Sequence, residues 1–168
     1  RRLDDLGIPA LADQEGGLLE QPIVMALSAL LQLTARRFDV SRAATLTRTP
    51  LVGFNDIELE KYIADKDGPQ DLLERLQDHA ISKPQRELFC RWKQLADCNR
   101  ILKMLEETLD YSDLLLAYPN QVDRQYAEQF LALIRSQMAE AGGDVVLLAE
   151  RIKRLSSVNG KLLPGEAM

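Results

Sequence analysis

The 168-residue chain is poor in metal-binding side chains, with one histidine, His79, and two cysteines, Cys90 and Cys98. Zinc would have to be held by scattered carboxylates and by two cysteines at the wrong spacing, so we predict no zinc site. The two cysteines are eight residues apart in a helical pattern, about 12 Å along a helix, which is too far for a disulfide. This pattern fits a reducing compartment.

Long apolar runs and nucleotide-binding motifs are missing as well. No apolar run approaches the roughly 18 residues that span a bilayer, and the opening Arg1-Arg2-Leu3-Asp4-Asp5 lacks the apolar stretch of a secretory signal. We therefore expect a soluble, intracellular protein. The motifs G-x-x-x-x-G-K-[ST], G-x-G-x-x-G and G-x-S-x-G do not occur, so the chain is predicted to have no enzymatic activity of its own.

What the sequence contains is typical of one globular domain. The hydrophobic fraction is 46% and the charged fraction 28%, and 168 residues suffice for a single core, so we predict one domain over residues 1–168. With 21 basic and 26 acidic residues the net charge is −5, which argues against a surface that wraps nucleic acid on all sides. A local basic patch remains compatible with this balance.

Apolar residues recur at helical spacing along most of the chain, and short polar, proline or glycine signals separate the stripes. The pattern predicts an all-α fold, a compact bundle of seven or eight helices with no substantial sheet; residues 8–11 are the one strand-like stretch. Predicted helix starts are Pro22, Asp39, Asn55 with Glu58, Ser82, Asn120 and Asp144. Predicted ends or breaks are Pro50, Gly68-Pro69, residues 97–99, Gly142-Gly143 and an Asn159-Gly160 turn.

Three sets of residues could carry chemistry, but a structural role is the better interpretation of each. Phe89 and Trp92 could stack on bases, yet they lie in an apolar stripe and are assigned to the core. His79 is assigned to a helix end, since nothing near it in sequence makes it a catalytic base. A dense acidic set is assigned to a solvated helix face rather than to a metal site: Asp56, Glu58, Glu60, Asp65 and Asp67.

The basic stretch at residues 34–50 is different, because it has a local charge of +3 in an acidic chain. A turn follows in which Gly53 permits close backbone approach and Asn55 precedes a helix N-terminus with free N–H groups. Two interpretations stay open from these residues: a phosphate-binding surface, or a helix–helix connection that carries surface arginines. The candidate DNA-contacting residues are Arg36, Arg37, Arg42, Arg48, Gly53, Phe54 and Asn55.

Four segments in order resemble UvrD-like superfamily 1 DNA helicases, and within them the AddA/RecB (exodeoxyribonuclease V beta-like) branch. Gly7-Ile8-Pro9 with residues 17–24 is similar to "G-I-P … F-F-E-x-P-E-V", and residues 43–59 resemble "L-A-A-V-L-R-S-P-L-F-G-L-S-D-E-E-L". Residues 101–108 resemble "L-L-x-x-L-L-E-E-T-G-Y", and residues 126–134 the helix "R-x-A-N-L-x-x-L-L". The chain then resembles the helical insertion, subdomain 2B, of the second motor domain, as an excised piece.

The resemblance implies a parent that translocates on DNA in repair or recombination, using ATP and Mg²⁺ bound outside these residues. This piece would need no cofactor or metal, and its partners would be duplex DNA, the remaining motor domains and an AddB/RecC-like subunit, in the bacterial cytoplasm at the nucleoid. The family's glycine-rich "G-I-G" turn corresponds to Gly53-Phe54-Asn55, where Asn55 replaces the second glycine. The alternative function is a helical protein–protein adaptor that does not contact DNA.

Overall fold

The computed structural model describes residues 17–110 and 116–161, with side chains up to residue 156. Eight α-helices and one short 3₁₀ helix lie wholly within these ranges, and no strand occurs in them, which confirms the all-α prediction. The strand-like residues 8–11 lie outside the described part. The helices are α1 Pro22–Ala35, α2 Val40–Arg48, α3 Asp56–Ala64, α4 Leu72–Arg75, the 3₁₀ helix Leu76–His79, α5 Lys83–Asp97, α6 Ile101–Leu109, α7 Gln121–Glu140 and α8 Val145–Lys161.

Side-chain caps set most of the predicted helix starts. Asp39 accepts from the Arg42 N–H at 3.2 Å, and the Ser82 hydroxyl accepts from the Gln85 N–H at 3.2 Å. A Ser, Asp or Asn side chain at this position satisfies one of the first N–H groups of a helix, which have no carbonyl partner inside it. Asn120 is predicted to cap α7, which is only partly right: α7 begins after it, but its side chain makes no capping hydrogen bond.

The predicted break at residues 97–99 separates α5 from α6. Asn99 has a φ of 56°, in the left-handed region that ends helices, and the side-chain amide of Asn99 donates to the Gly143 carbonyl at 3.0 Å. Gly142 and Gly143 also have positive φ values, 64° and 82°, and they end α7 as predicted. The α5–α6 and α7–α8 turns therefore lie side by side.

The predicted turn at Asn159-Gly160 is wrong, because α8 continues through both residues to Lys161. Asparagine and glycine each cost at most about 1 kcal/mol relative to alanine inside a helix, so an Asn-Gly pair weakens a helix without ending it.

The core surrounds α1, which contacts α2, α4, α6, α7 and α8. Nine of its 14 residues are buried, so α1 is the central helix of one bundle. The apolar stripes of the sequence predict eleven buried residues, and all eleven are in this core: Leu27, Leu30, Leu46, Leu73, Leu76, Trp92, Leu105, Phe130, Ile134, Leu148 and Ile152. Phe89 is buried beside Trp92, whose indole N–H donates to the Thr108 hydroxyl at 2.7 Å.

The apolar stripe Val122, Tyr126, Phe130, Ile134 and Met138 predicts the inner face of α7. This prediction is partly wrong, because Val122 is 46% exposed. The predicted stripe advanced by four residues at each step, and each such step turns about 40° around a helix of 3.6 residues per turn. Its two ends cannot share one face, and the buried face is formed instead by Ala127, Phe130, Leu131, Leu133 and Ile134. Among the helices of the described ranges, none is both long enough and apolar enough to cross a membrane.

Candidate nucleic-acid interface

The seven predicted DNA-contacting residues lie along one stretch that runs from the end of α1 to the start of α3. Arg36 and Arg37 follow α1, Arg42 and Arg48 are on α2, and the remaining three precede α3. Although they are close in sequence, their side chains contact different parts of the bundle.

Arg36 lies beside α8, where its guanidinium donates to the carboxylate of Glu150. This hydrogen bond is the main cause that lowers the pKa of Glu150 below its usual range. Because the partner lies 114 residues away, the pair joins the end of α1 to α8.

Arg37 forms the most extensive ion-pair contacts of the four arginines. One guanidinium nitrogen, Nη1, lies 2.9 Å from a carboxylate oxygen of Asp71 and 2.9 Å from one of Asp97. In addition, the Arg37 carbonyl accepts from the Leu72 N–H at 2.7 Å. Arg37 thus holds the connection between α1 and α2 and the start of α4 against the end of α5.

Arg42 is also committed to contacts within the domain. Its Nη1 donates to the side-chain oxygen of Gln32 at 2.8 Å, and its Nε lies 3.2 Å from the carboxylate of Asp39. Arg48 differs from the other three, since it is exposed and forms no ion pair with any described residue.

We call residues 49–55 the 49–55 turn. Three backbone N–H groups of this turn donate to nearby backbone carbonyls. The Val52 and Gly53 N–H groups donate to the Thr49 carbonyl at 3.1 and 2.7 Å, and the Phe54 N–H donates to the Thr47 carbonyl at 2.9 Å. Gly53 has a φ of 72°, a value that favours glycine. These three N–H groups are therefore already satisfied without a phosphate.

Phe54 lies in the core and not on the surface. Its exposed fraction is 7%, and its ring meets the ring of Tyr62 edge to face with a centroid distance of 5.8 Å. The sequence placed Phe54 in a surface turn, but the apolar ring is folded under that turn.

The start of α3 has little remaining capacity for an anion. Asn55 accepts from the Glu58 N–H at 2.8 Å, and the Asn55 N–H donates back to the Glu58 carboxylate at 2.9 Å, which is the predicted capping box. Asp56 adds a second carboxylate to the first turn. Two negative charges already balance the positive end of the helix dipole, so a phosphate there would meet like charge.

The start of α5 lies beside the 49–55 turn, a placement that the sequence does not predict. The buried side chain of Gln85 donates to the Val52 carbonyl at 2.9 Å and accepts from the Ile81 N–H at 2.8 Å. The first turn of α5 holds no acidic residue, and Lys83 and Arg86 are exposed there. The only sequence signal is the i, i+3 spacing of the two cations after the Ser82 cap.

A cleft of about 210 Å³ opens between α1, α2 and α8. Its floor is a stripe of α1 residues at i, i+3, i+4 and i+7, and Arg42 and Thr45 of α2 and Ser156 of α8 form its walls. The stripe consists of Met25, Ser28, Ala29 and Gln32. Met25 is 53% exposed, although most of α1 is covered by other helices.

His79, assigned from the sequence to a helix end, makes contacts within the fold. His79 lies 2.8 Å from the carboxylate of Asp65, and its ring packs edge to face on Tyr62 at 5.6 Å. In residues 17–110 and 116–161, no three His, Cys, Asp or Glu side chains come together as a metal site would require.

Comparison of the chain with protein-family models, with curated proteins and with solved structures found no match. The similarity to UvrD-like helicases therefore depends on the four sequence segments quoted above.

Proposed function

We propose that this chain is an accessory DNA-handling domain of a UvrD-like, ATP-dependent DNA helicase or helicase-nuclease of the AddA/RecB branch, without catalytic residues of its own. The observation that carries the proposal is the place that the described parts of the four resembling segments take in the bundle. They include the start of α1, the adjoining parts of α2 and α3, most of α6, and the middle of α7. Of these, α2, α6 and α7 each pack directly on α1.

Segments that share a core are constrained together, since each must fit the volume that the others leave. Leu46, Leu105 and Phe130 come from three of these segments, and all three are fully buried. The resemblance thus concerns the framework of the domain, which supports a common fold more strongly than matches scattered over its surface would. ATP and Mg²⁺ would be bound by the motor domains of the parent.

Three measurements on the 168-residue chain test the proposal: duplex binding over a range of salt, ATP hydrolysis and DNA cleavage. We expect it to bind a short labelled DNA duplex at low salt, to release it at high salt, and to hydrolyse no ATP and cleave no DNA. Salt release is expected because contacts to phosphates displace counterions. ATP turnover that a point substitution in this chain abolishes would contradict the accessory role, and a complete lack of duplex binding at low salt would contradict DNA handling.

The cleft between α1, α2 and α8 favours a second candidate function, a protein–protein adaptor. A half-exposed Met25 on the central helix offers an apolar contact that a partner could cover. The partners to test are the motor domains of the parent and an AddB/RecC-like subunit. Under this function Met25→Glu weakens co-purification with such a partner, Val122→Glu on the exposed side of α7 does not, and duplex DNA is not bound by the chain at any salt concentration.

A further inference from the structure

Three exposed cations near the 49–55 turn form no ion pair with a described residue: Arg48 at the end of α2, and Lys83 and Arg86 in the first turn of α5. A cation of this kind can contact a ligand without breaking a contact of the fold. Lys83 and Arg86 are neighbours on one face of α5, because residues three apart lie together on a helix surface.

One hydrogen bond connects the two segments that carry these residues. The side chain of Gln85, which lies between Lys83 and Arg86 in sequence, donates to the Val52 carbonyl at 2.9 Å. Gln85 is buried and its other side-chain atom is also bonded, so the start of α5 is attached firmly to the turn that follows Arg48. We name Arg48, Lys83 and Arg86 the basic edge.

We infer that the basic edge is the surface that contacts the phosphates of duplex DNA, in place of the arginines nearer the start of α2. This inference rests on the proposed function. Arg36, Arg37 and Arg42 each hold a carboxylate of the domain, so a phosphate would have to compete with an existing ion pair. No such competition exists at the basic edge within the described residues.

Three acidic residues lie on the elements that adjoin the basic edge. Asp56 and Glu58 lie at the start of α3, and Glu87 lines a cleft toward α6 together with Arg91. Glu87 is also four residues from Lys83, so the two are neighbours on the surface of α5. We assign the duplex contact to the end of α2 and the first turn of α5, where the three cations of the basic edge lie. Since Phe54 is buried, the 49–55 turn presents no aromatic ring on which unpaired bases could stack, and the contact is to the backbone.

The test compares two charge-matched triple variants with the wild-type chain in titrations of a labelled duplex over a range of salt. The first is Arg48→Ala/Lys83→Ala/Arg86→Ala, and the control is Arg100→Ala/Lys153→Ala/Arg154→Ala, which removes three other exposed cations that form no ion pair in the described part. Each lost phosphate contact lowers the slope of log affinity against log salt by about 0.9, so three contacts lower it by about 2.7. We expect this loss in the first variant and little change in the control.

The titrations test the basic edge as the DNA-contacting surface separately from the proposed DNA-handling function. If wild type binds and both triple variants weaken binding equally, the basic edge is wrong while DNA handling stands. If wild type binds no duplex at low salt, the proposed function itself fails. Competition by polyglutamate as strong as that by duplex of equal charge would assign the basic edge to an acidic protein and overturn its assignment to DNA. Urea denaturation of each variant shows whether the bundle is intact.

Discussion

Among the buried residues of the described part, Arg75 is the only charged one, with an exposed fraction of 6%. Its guanidinium donates to three backbone carbonyls, those of Pro69 at 2.7 Å, Tyr62 at 3.1 Å and Ile63 at 3.2 Å. Tyr62 and Ile63 belong to the last turn of α3, whose carbonyls lack partners inside the helix. The positive charge also lies at the negative end of the helix dipole.

Replacing Arg75 with leucine should destabilise the domain, because the three carbonyls would remain buried without donors. We expect the free energy of unfolding to fall by about 2–3 kcal/mol, measured by urea denaturation. The matched control is Arg154→Leu, at an exposed arginine of α8, where the change should stay within about 0.5 kcal/mol. Equal effects in the two variants would show that Arg75 does not hold the end of α3.

The hydrogen bond from His79, together with the N–H of Gly68 at 2.9 Å, lowers the pKa of Asp65 from its usual 3.8. A carboxyl whose pKa is lower in the folded state stabilises the fold above its unfolded pKa, and that stability is lost as the pH falls through the folded pKa. The difference in unfolding free energy between wild type and Asp65→Asn should therefore shrink below pH of about 4.

Urea denaturation over a pH series measures this difference. Asp78→Asn serves as the control, because Asp78 makes no hydrogen bond or ion pair in the described residues and lies in the adjacent 3₁₀ helix. A difference for Asp65→Asn that stayed constant from neutral pH to acid would contradict the role of the His79–Asp65 pair.

The partners of single arginines could not be predicted from the sequence. Asp71, Asp97 and Glu150 lie 34, 60 and 114 residues from the arginines that they bind. The local charge of +3 was visible in the sequence, but nothing in residues 34–50 distinguishes a free arginine from one that ties two helices together. Only the folded bundle separates Arg48 from Arg36, Arg37 and Arg42.

At the scale of the helix, the capping box at Asn55 can be compared with the uncapped start at Asn120. The Asn55 side chain accepts from the Glu58 N–H, whereas that of Asn120 makes no capping bond. Asn55→Ala should lower the free energy of unfolding by about 1 kcal/mol, and Asn120→Ala by clearly less. Chemical denaturation of the two variants measures this, and a larger loss for Asn120→Ala would contradict the assignment of the caps.

Helix starts were predictable to the residue where a local signal fixes them. Asp39, Asn55 and Ser82 each satisfy an N–H group three residues ahead, a contact that needs no tertiary partner. The end of α8 and the inner face of α7 were not predictable in this way. Both depend on neighbours, since packing decides which side of a helix is covered and whether a weak helical segment continues.

At the scale of the whole molecule, α1 is the helix around which the bundle is built. Leu30 is fully buried on α1, while Met25 on the same helix is 53% exposed. Leu30→Ala should cost about 2–5 kcal/mol, because it removes buried methyl groups and leaves a cavity. Met25→Ala should cost much less in the same denaturation experiment, and a similar loss for both would contradict the central position of α1.

The affinity of the 168-residue chain for a DNA duplex, followed from low to high salt, tests most directly whether this bundle handles DNA. We expect binding that is independent of base sequence, with log affinity falling linearly with log salt by about 0.9 for each phosphate contacted. No binding at the lowest salt, or binding that does not change with salt, would contradict it.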